Sequence, residues 1–440
     1  MESSDELLAR FLSLHPKIID LSLERIQRLL AALGHPEQRL PPVIHVAGTN
    51  GKGSTVAFMR SILEAAGLVT HVYTSPHLVR FHERIRLGAP GGGRFVDETL
   101  LVETFHRCEV ANAGEPITFF EMTTVAALLL FAEQPADVLL LEVGLGGRFD
   151  ATNVITDPAA AVVTPVSLDH AAFLGSNVAQ IAAEKAGIFK RGAPAVIAYQ
   201  SPETSAVLQE RAERVGARLI MVGGQDFSAS EEHGRLVYQD ERGLLDLPLP
   251  RLTGRHQHLN AGTAIAALRA AGFGSLPHAA FEAGMDRVDW PARLQRLTHG
   301  QLVDLLPPGA ELWLDGGHNP DGGQALAAAM AEIEEKNPAP LLLICGMLGT
   351  KDSDGFLHPF AGLAREILAV PITSQDAARS PEDVAAIALG AGLTASVHAS
   401  LGAALSSIRK ASWQRPPRVL IAGSLYLAGD VLAENGTPPE

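Results

Sequence analysis

One stretch constrains the fold more than any other. A short apolar run, Val43 to Val46, meets Gly48-Thr49-Asn50-Gly51-Lys52-Gly53-Ser54-Thr55, and a helical pattern follows from Val56 to Gly67. Strand, glycine-rich turn and helix in this order make a phosphate-binding loop. The glycines let backbone N–H groups converge on phosphate oxygens, the helix N-terminus adds positive potential, and Lys52 supplies a mobile charge. Two departures from the usual nucleotide loop stand out. Val46 occupies the place of its first glycine, and Gly53 separates Lys52 from the first hydroxyl, Ser54. A nucleoside triphosphate such as ATP is the expected ligand.

The rest of the chain extends this beginning. Asp137 opens a run, Val138 to Glu142, that is apolar until its last residue, which marks a strand covered on both faces, and Ala159 to Val163 and Ala195 to Ala198 repeat the pattern. A helix is predicted around Leu21 to Leu33, a strand near Val69 to Tyr73, an exposed loop at Gly88 to Gly93 and helices between Asp97 and Phe131. Alternating strands and helices predict an α/β chain with a mostly parallel sheet, whose ligands sit beyond the carboxyl ends of the strands. Gly48, Ser75, Glu142 and His170 all fall at or just after such ends. A second alternating series follows Trp290-Pro291, with strands at Glu311 to Leu314, Leu341 to Cys345, Ile367 to Val370, Ala395 to His398 and Arg418 to Ala422. With 440 residues, two domains are expected, 1–290 and a smaller open-sheet domain, 291–440.

Composition excludes several classes. A net charge of −14 is the wrong sign for a nucleic-acid binder. The apolar runs are too short to span a bilayer, and the acidic start, Met1 to Glu6, has none of the features of a signal peptide. Two distant cysteines, Cys108 and Cys345, fit a reducing compartment and no structural zinc site. A cytoplasmic chain is the expectation. Arg84 and Arg86 would share one face if their segment is extended, and a solvated strand face is the simpler reading of the pair.

Glu142 closes a buried strand and opens a glycine-rich segment, Val143 to Asp150. A carboxylate there is costly unless it meets a cation or several donors, so Mg2+ beside a nucleotide or the N–H groups of the glycine loop would both serve. His170, in Ser-Leu-Asp-His, and Ser75, in Thr-Ser-Pro-His-Leu, follow strands, where a metal ligand and a local hydrogen-bonding role are both open. Lys185 ends a helix that Asn177 and Gln180 begin as a capping pair. A cation favours that end, so a solvated lysine is equally allowed.

Taken together, these blocks resemble the bifunctional dihydrofolate synthase/folylpolyglutamate synthase family of the Mur-ligase superfamily over nearly the whole chain. The resemblance is carried by Gly48 to Ser54, Thr74 to Leu78, Thr118 to Glu121, Leu141 to Arg148 and Glu184 to Ile188. His256 to Asn260, Trp290 to Arg293, Asp315 to Pro320 and Gly423 to Tyr426 complete it. It implies a Mur-ligase-type N-terminal domain containing the phosphate loop and a smaller Rossmann-like C-terminal domain. ATP would be held by Asn50, Gly51, Lys52, Gly53 and Ser54, with Asn260, Arg293 and Asp315 reaching the nucleotide. Ser75, Glu142 and His170 would bind a pair of Mg2+ ions, and Lys185 would carry an N6-carboxylate. Lys52, Lys185 and His170 would be the catalytic set. Thr118, Phe119, Phe120, Glu121, Phe149, Asp150 and Ala151 would help hold a pteroate, and His318 the incoming glutamate.

The implied activity is ATP-dependent amide ligation in a monomer acting on dihydropteroate, tetrahydrofolates and L-glutamate. The alternatives are a folate-elongating enzyme alone or another Mur-type amino-acid ligase. A nucleotide-controlled binding switch would lack a use for Glu142, His170 and Lys185.

Overall fold

A computed structural model describes residues 2–15 and 19–440; of the acidic start, only Met1 lies outside the described residues. The first sheet has eight strands: β1 (Val43–Ala47), β2 (Thr70–Tyr73), β3 (Ile85–Leu87), β4 (Arg94–Phe95), β5 (Val138–Glu142), β6 (Ala160–Val163), β7 (Pro194–Ile197) and β8 (Leu219–Val222). Their order is β4-β3-β2-β5-β1-β6-β7-β8, so β1 lies inside the sheet, between β5 and β6. All neighbours are parallel except at the β2-β3-β4 edge. Every residue of β1, β5 and β6 is buried, as uniform apolarity requires of strands covered by helices on both faces.

The register sets the chemistry. Val46 pairs with Glu142, and Ala47 with Val163, so the phosphate loop, the carboxylate and the segment leading to His170 leave one edge of the sheet together. The helix Lys52–Ala65 packs closely on the helix His278–Arg287. A side chain at Gly284 would come within 2.4 Å of Ile62, and the Ser61 hydroxyl donates to the Gly284 carbonyl at 2.9 Å.

A small antiparallel sheet, β9 (Phe227–Glu232), β10 (Arg235–Asp240) and β11 (Gly243–Pro248), packs on the helix Arg255–Leu268 and adds to the same core. It has no counterpart among the strands expected from the sequence. The last sheet contains β12 (Gln295–Leu297), β13 (Glu311–Leu314), β14 (Leu341–Cys345), β15 (Ala364–Ala369), β16 (Ala395–Val397) and β17 (Arg418–Ala422), ordered β12-β13-β17-β14-β15-β16. Only β12 runs antiparallel. Its two faces bury separate clusters, one around Leu314, Ile344 and Ile421 and the other around Leu343, Phe356 and Leu420.

Three expectations change in detail. The first helical pattern shortens to Glu24–Ala32. Arg84 does not share an extended face with Arg86: Phe81–Arg84 is a 3-10 turn, and only Arg86 lies in β3. Nor is Arg84 a solvated side chain; it lies over the Phe81 and Phe119 rings and donates from Nε to His77 Nδ1 at 2.9 Å. Cys108 and Cys345 are both buried and free of disulfides. Among the described residues no helix is long and apolar enough to cross a membrane.

Candidate active site

The phosphate loop owes its shape to close approach. Gly48 has φ +149°, and a Cβ there would lie 1.8 Å from Thr164 Oγ1 at the end of β6. Gly51 has φ +84° and faces Asn260, which would meet its Cβ at 2.5 Å. Gly53, immediately after Lys52, lies against Trp290, whose Nε1 would be 2.8 Å from a Cβ. The departure at Gly53 therefore has a steric cause. The loop is also tied down by its main chain, since Thr49 and Asn50 N–H both donate to the Pro165 carbonyl, at 2.9 and 3.2 Å.

Two lysines converge on this loop. Lys52 Nζ donates to the Gly48 and Thr49 carbonyls at 3.2 and 3.3 Å, and Lys185 Nζ donates to the same Gly48 carbonyl at 2.9 Å. Lys185 is only 4% exposed, which overturns the solvated helix end that its position allowed. Burial, followed by repulsion from Lys52, pushes its ammonium down to about 7.

Glu142 is buried at the end of β5, with Lys52 Nζ 3.8 Å from its Oε1. Burial pushes its carboxyl up to about 7, against the pull of Lys52, Arg293 and the Ser75 main-chain N–H. A buried carboxylate so weakly matched by its neighbours fits a further cation. Among the described residues, no three His, Cys, Asp or Glu side chains form a cluster that could hold a metal. Ser75, Glu142 and His170 instead offer one hydroxyl, one carboxylate and one imidazole to a shared cleft. That donor set suits Mg2+ bound partly through nucleotide oxygens. His170, with φ +52°, has a 41% exposed ring, held down to about 4 by burial and by Lys351.

The cleft, about 320 Å³, brings together Asn50 to Ser54, Ser75, Glu142, His170, Lys185, Asn260, Arg293, Asp315 and His318. Its far wall comes from the six-stranded sheet. Asp315, just beyond β13, accepts from Leu294 N–H at 2.7 Å and Gly317 N–H at 2.6 Å. His318 Nδ1 lies 2.9 Å from the Gly316 carbonyl. Asn260 donates to Gln257 Oε1 at 3.0 Å, and Arg293 to the Ala292 carbonyl at 3.1 Å.

The other predicted residues do not line this cleft. Thr118 and Glu121 form a reciprocal cap on the helix Phe119–Glu133, and Glu121 Oε2 pairs with Arg25 Nε at 2.9 Å. Phe120 fills the space beside Gly144, where a Cβ would meet its ring at 2.4 Å. Phe119 lies beneath Arg84, and Ala151 is buried. Phe149 is 39% exposed beneath the Arg148 guanidinium. Asp150 accepts from Leu145 N–H at 2.8 Å and from the Thr152 N–H and hydroxyl. Phe120 and Asp150 thus support from behind the glycine segment whose Gly144, Leu145 and Gly146 do face the cleft.

Three polar residues at the site went unread. Asp169 Oδ1 pairs with Lys351 Nζ at 2.5 Å, and its Oδ2 lies 3.4 Å from His318 Nε2. Asn319 and Asn50 exchange side-chain hydrogen bonds at 2.9 and 3.2 Å. Asp169 and Asn319 sit inside motifs already singled out, and Lys351 follows the uniformly apolar β14. Strand-end position was the available signal for all three.

Two family descriptions match the chain: "Mur ligase middle domain" over residues 46–268 and "Mur ligase, glutamate ligase domain" over 301–425. The dihydrofolate synthase/folylpolyglutamate synthase of Escherichia coli K12 is 38% identical over 346 residues, covering 78% of this chain and 76% of the relative. The structure of E. coli FolC in complex with DHPP and ADP superposes with a TM-score of 0.87 at 33% identity, covering 98% of this chain and 97% of that one. A bifunctional folylpolyglutamate synthase/dihydrofolate synthase with Mn, AMPPNP and L-glutamate bound has a TM-score of 0.84 at 29% identity, with 98% of each chain covered.

Proposed function

The chain belongs to the dihydrofolate synthase/folylpolyglutamate synthase family of Mur ligases, and from that premise we propose how its residues divide the work. It is an ATP-dependent ligase that joins L-glutamate to dihydropteroate and to tetrahydrofolate and its polyglutamates. The reading of the site rests on one observation: a phosphate loop, a buried carboxylate and two lysines on one sheet share a single cleft with Asp315 and His318 from the other.

A carboxylate resists amide formation because oxide is a poor leaving group. Attack of the substrate carboxylate oxygen on the γ-phosphorus of ATP breaks the bond to the bridging oxygen, releases ADP and leaves an acyl phosphate. The glutamate amine then attacks the acyl carbon, phosphate departs and a proton leaves the nitrogen. Lys52, with Asn50, Gly51, Gly53 and Ser54, holds the triphosphate and offsets charge that grows on the transferred group. Mg2+, held by Ser75, Glu142 and His170, would supply further charge compensation to the phosphate oxygens. Asn260, Arg293 and Asp315 hold the nucleotide from the linking and C-terminal regions, and His318 positions glutamate. Thr118 to Glu121 with Phe149 to Ala151 are assigned the pteroate side, a role supported for Phe120 and Asp150 by their packing behind the Gly144 to Gly146 wall. In this reading residues 1–290 are the ATP- and pteroate-binding domain and 291–440 the glutamate-ligase domain.

Lys185 is assigned an N6-carboxylate. Its neutral Nζ attacks CO2, an N–C bond forms and one N–H proton leaves, converting a cation into an anion suited to a metal site. Burial and the low pKa of the ammonium support a free amine there. Lys185→Ala is expected to lose about tenfold or more in turnover. Short carboxylic acids should restore part of that loss, and 13C NMR of protein equilibrated with labelled bicarbonate should show a carbamate signal absent from the variant. Full activity in Lys185→Ala would remove the assignment.

The enzyme is taken to act as a monomer, since one chain supplies every wall of the cleft, and in the cytoplasm, in keeping with two buried cysteines outside any disulfide. The decisive experiment is a panel pairing dihydropteroate or tetrahydrofolate with glutamate and ATP, following ADP and amide. Amide from both establishes the two activities, amide from tetrahydrofolate alone leaves elongation only, and ADP without amide overturns the reading.

A further inference from the structure

The two sheets meet at a polar junction beside the cleft, and its centre is Asp169. On the side of the eight-stranded sheet, Asp169 sits in the loop after β6, next to the segment that bonds Thr49 through Ser167. From the six-stranded sheet come Lys351, in the loop after β14, and the turn His318-Asn319 after β13. Asp169 Oδ1 binds Lys351 Nζ at 2.5 Å, Oδ2 faces His318 Nε2 at 3.4 Å, and Asn319 Nδ2 lies 3.5 Å from Oδ2. Both Asp169 and Lys351 side chains are 10% exposed, so the pair is largely withdrawn from water, unlike most ion pairs of the surface.

The junction is braced on each side. Asn319 caps the helix Pro320–Lys336 through Gly322 N–H while trading two hydrogen bonds with Asn50 of the phosphate loop. Arg379 holds the Lys351 loop by donating to the Gly349 carbonyl at 3.2 Å and to Ser353 Oγ at 3.1 Å. The Asp169 carboxylate and the Asn50–Asn319 exchange together tie the phosphate-loop side of the cleft to the His318 turn.

We propose that Asp169 and Lys351 are positioning residues that latch the six-stranded sheet onto the phosphate loop, so that the glutamate amine rather than water meets the acyl phosphate. The proposal rests on the ligase reading above, and its physical content is water exclusion by a held interface. Neither residue needs to touch the reacting atoms. Breaking the latch should leave nucleotide binding alone and let the activated carboxylate hydrolyse.

The test uses the full chain with Lys351→Met, Asp169→Lys, Lys351→Asp and the exchanged pair Asp169→Lys/Lys351→Asp. ADP affinity of Lys351→Met should stay within about threefold of wild type, while amide turnover drops about 100-fold, the scale of a misplaced reactant. Amide formed per ADP released should fall well below the wild-type ratio. The exchanged pair should recover about tenfold over what the two single changes together would leave, since residues in direct contact couple. With ADP bound, hydrogen exchange across 316–323 should be faster in Lys351→Met than in wild type, a readout that needs no turnover. An unchanged amide-to-ADP ratio with unchanged exchange, or an exchanged pair no better than independent losses, overturns the latch. Wild-type protein that makes no amide would instead overturn the ligase reading, and the exchange measurement would still judge the latch.

Discussion

The two walls of the cleft are both strand-end loops of largely parallel sheets, yet they treat charge in opposite ways. On the eight-stranded side, Glu142, Lys52 and Lys185 are buried or nearly so, and their strongest partners are a carbonyl or an opposite charge 3.8 Å away. On the six-stranded side, the Asp315 carboxylate is satisfied by two main-chain N–H groups. Burying a charge without close compensation costs stability and stores affinity for a ligand of opposite sign. Compensating it locally fixes a shape. On the function proposed above, the first wall would hold charged reactants and the second present a rigid surface to them.

That contrast can be broken most sharply at Lys52. Lys52→Ala should cut turnover by about 100 to 1000-fold while leaving thermal stability close to wild type. Wild-type turnover in the folded variant would end the phosphate-loop assignment. Next in size is Glu142→Gln, which keeps shape but removes an anion. The Mg2+ concentration for half-maximal activity should rise about 10- to 100-fold, with dihydropteroate affinity little altered. An unchanged Mg2+ titration would make Glu142 structural and erase the distinction between the walls.

Asp315→Ala sharpens it from the other side. It strands the Leu294 and Gly317 N–H groups, so urea unfolding should show a loss of about 1–3 kcal/mol. If Asp315→Ala unfolds like wild type while Lys52→Ala is destabilised, the roles are reversed.

The gentlest effect is a slope with pH. His45, wholly buried in β1, is pushed down to about 3 by burial and then by Lys190, and its Nε2 lies 2.9 Å from Thr152 Oγ1. Between its ordinary value near 6.5 and about 3, the unfolded chain binds a proton that the folded one refuses. Stability therefore falls as pH falls through that window, by less than about 1.4 kcal/mol per pH unit from this group. His45→Asn should flatten the slope in acid urea titrations. Among the described residues the buried histidines, His45 and His71, both lie in the eight-stranded sheet, so acid should weaken that region before the other.

Much of this was readable from residues alone, for reasons that differ by place. β1, β5 and β14 announce themselves because strands covered on both faces are apolar along most of their length. The helix starts at Asp97 and Asn177 follow from side chains that bond local N–H groups. The sheet β9 to β11 escaped because its strands are largely exposed and mix charged with apolar residues, so no uniformly apolar run marks them. Arg84 misled because turn and strand are hard to tell apart over four residues. Lys185 needed the third dimension: the same helix end is solvated or buried according to what packs on it. Asp169 and Lys351 lie 182 positions apart, a pairing that no local pattern announces.

The carbonyl oxygen of Gly48 takes both Lys52 Nζ and Lys185 Nζ. Two lysine nitrogens leaning on one acceptor are thermodynamically entangled. Each weakens the other's bond by drawing on the same lone-pair density, and removing either relaxes the survivor. Losses measured one lysine at a time will therefore not sum. The double variant Lys52→Ala/Lys185→Ala carries an interaction free energy that belongs to the oxygen between them, an atom that no side-chain substitution can delete.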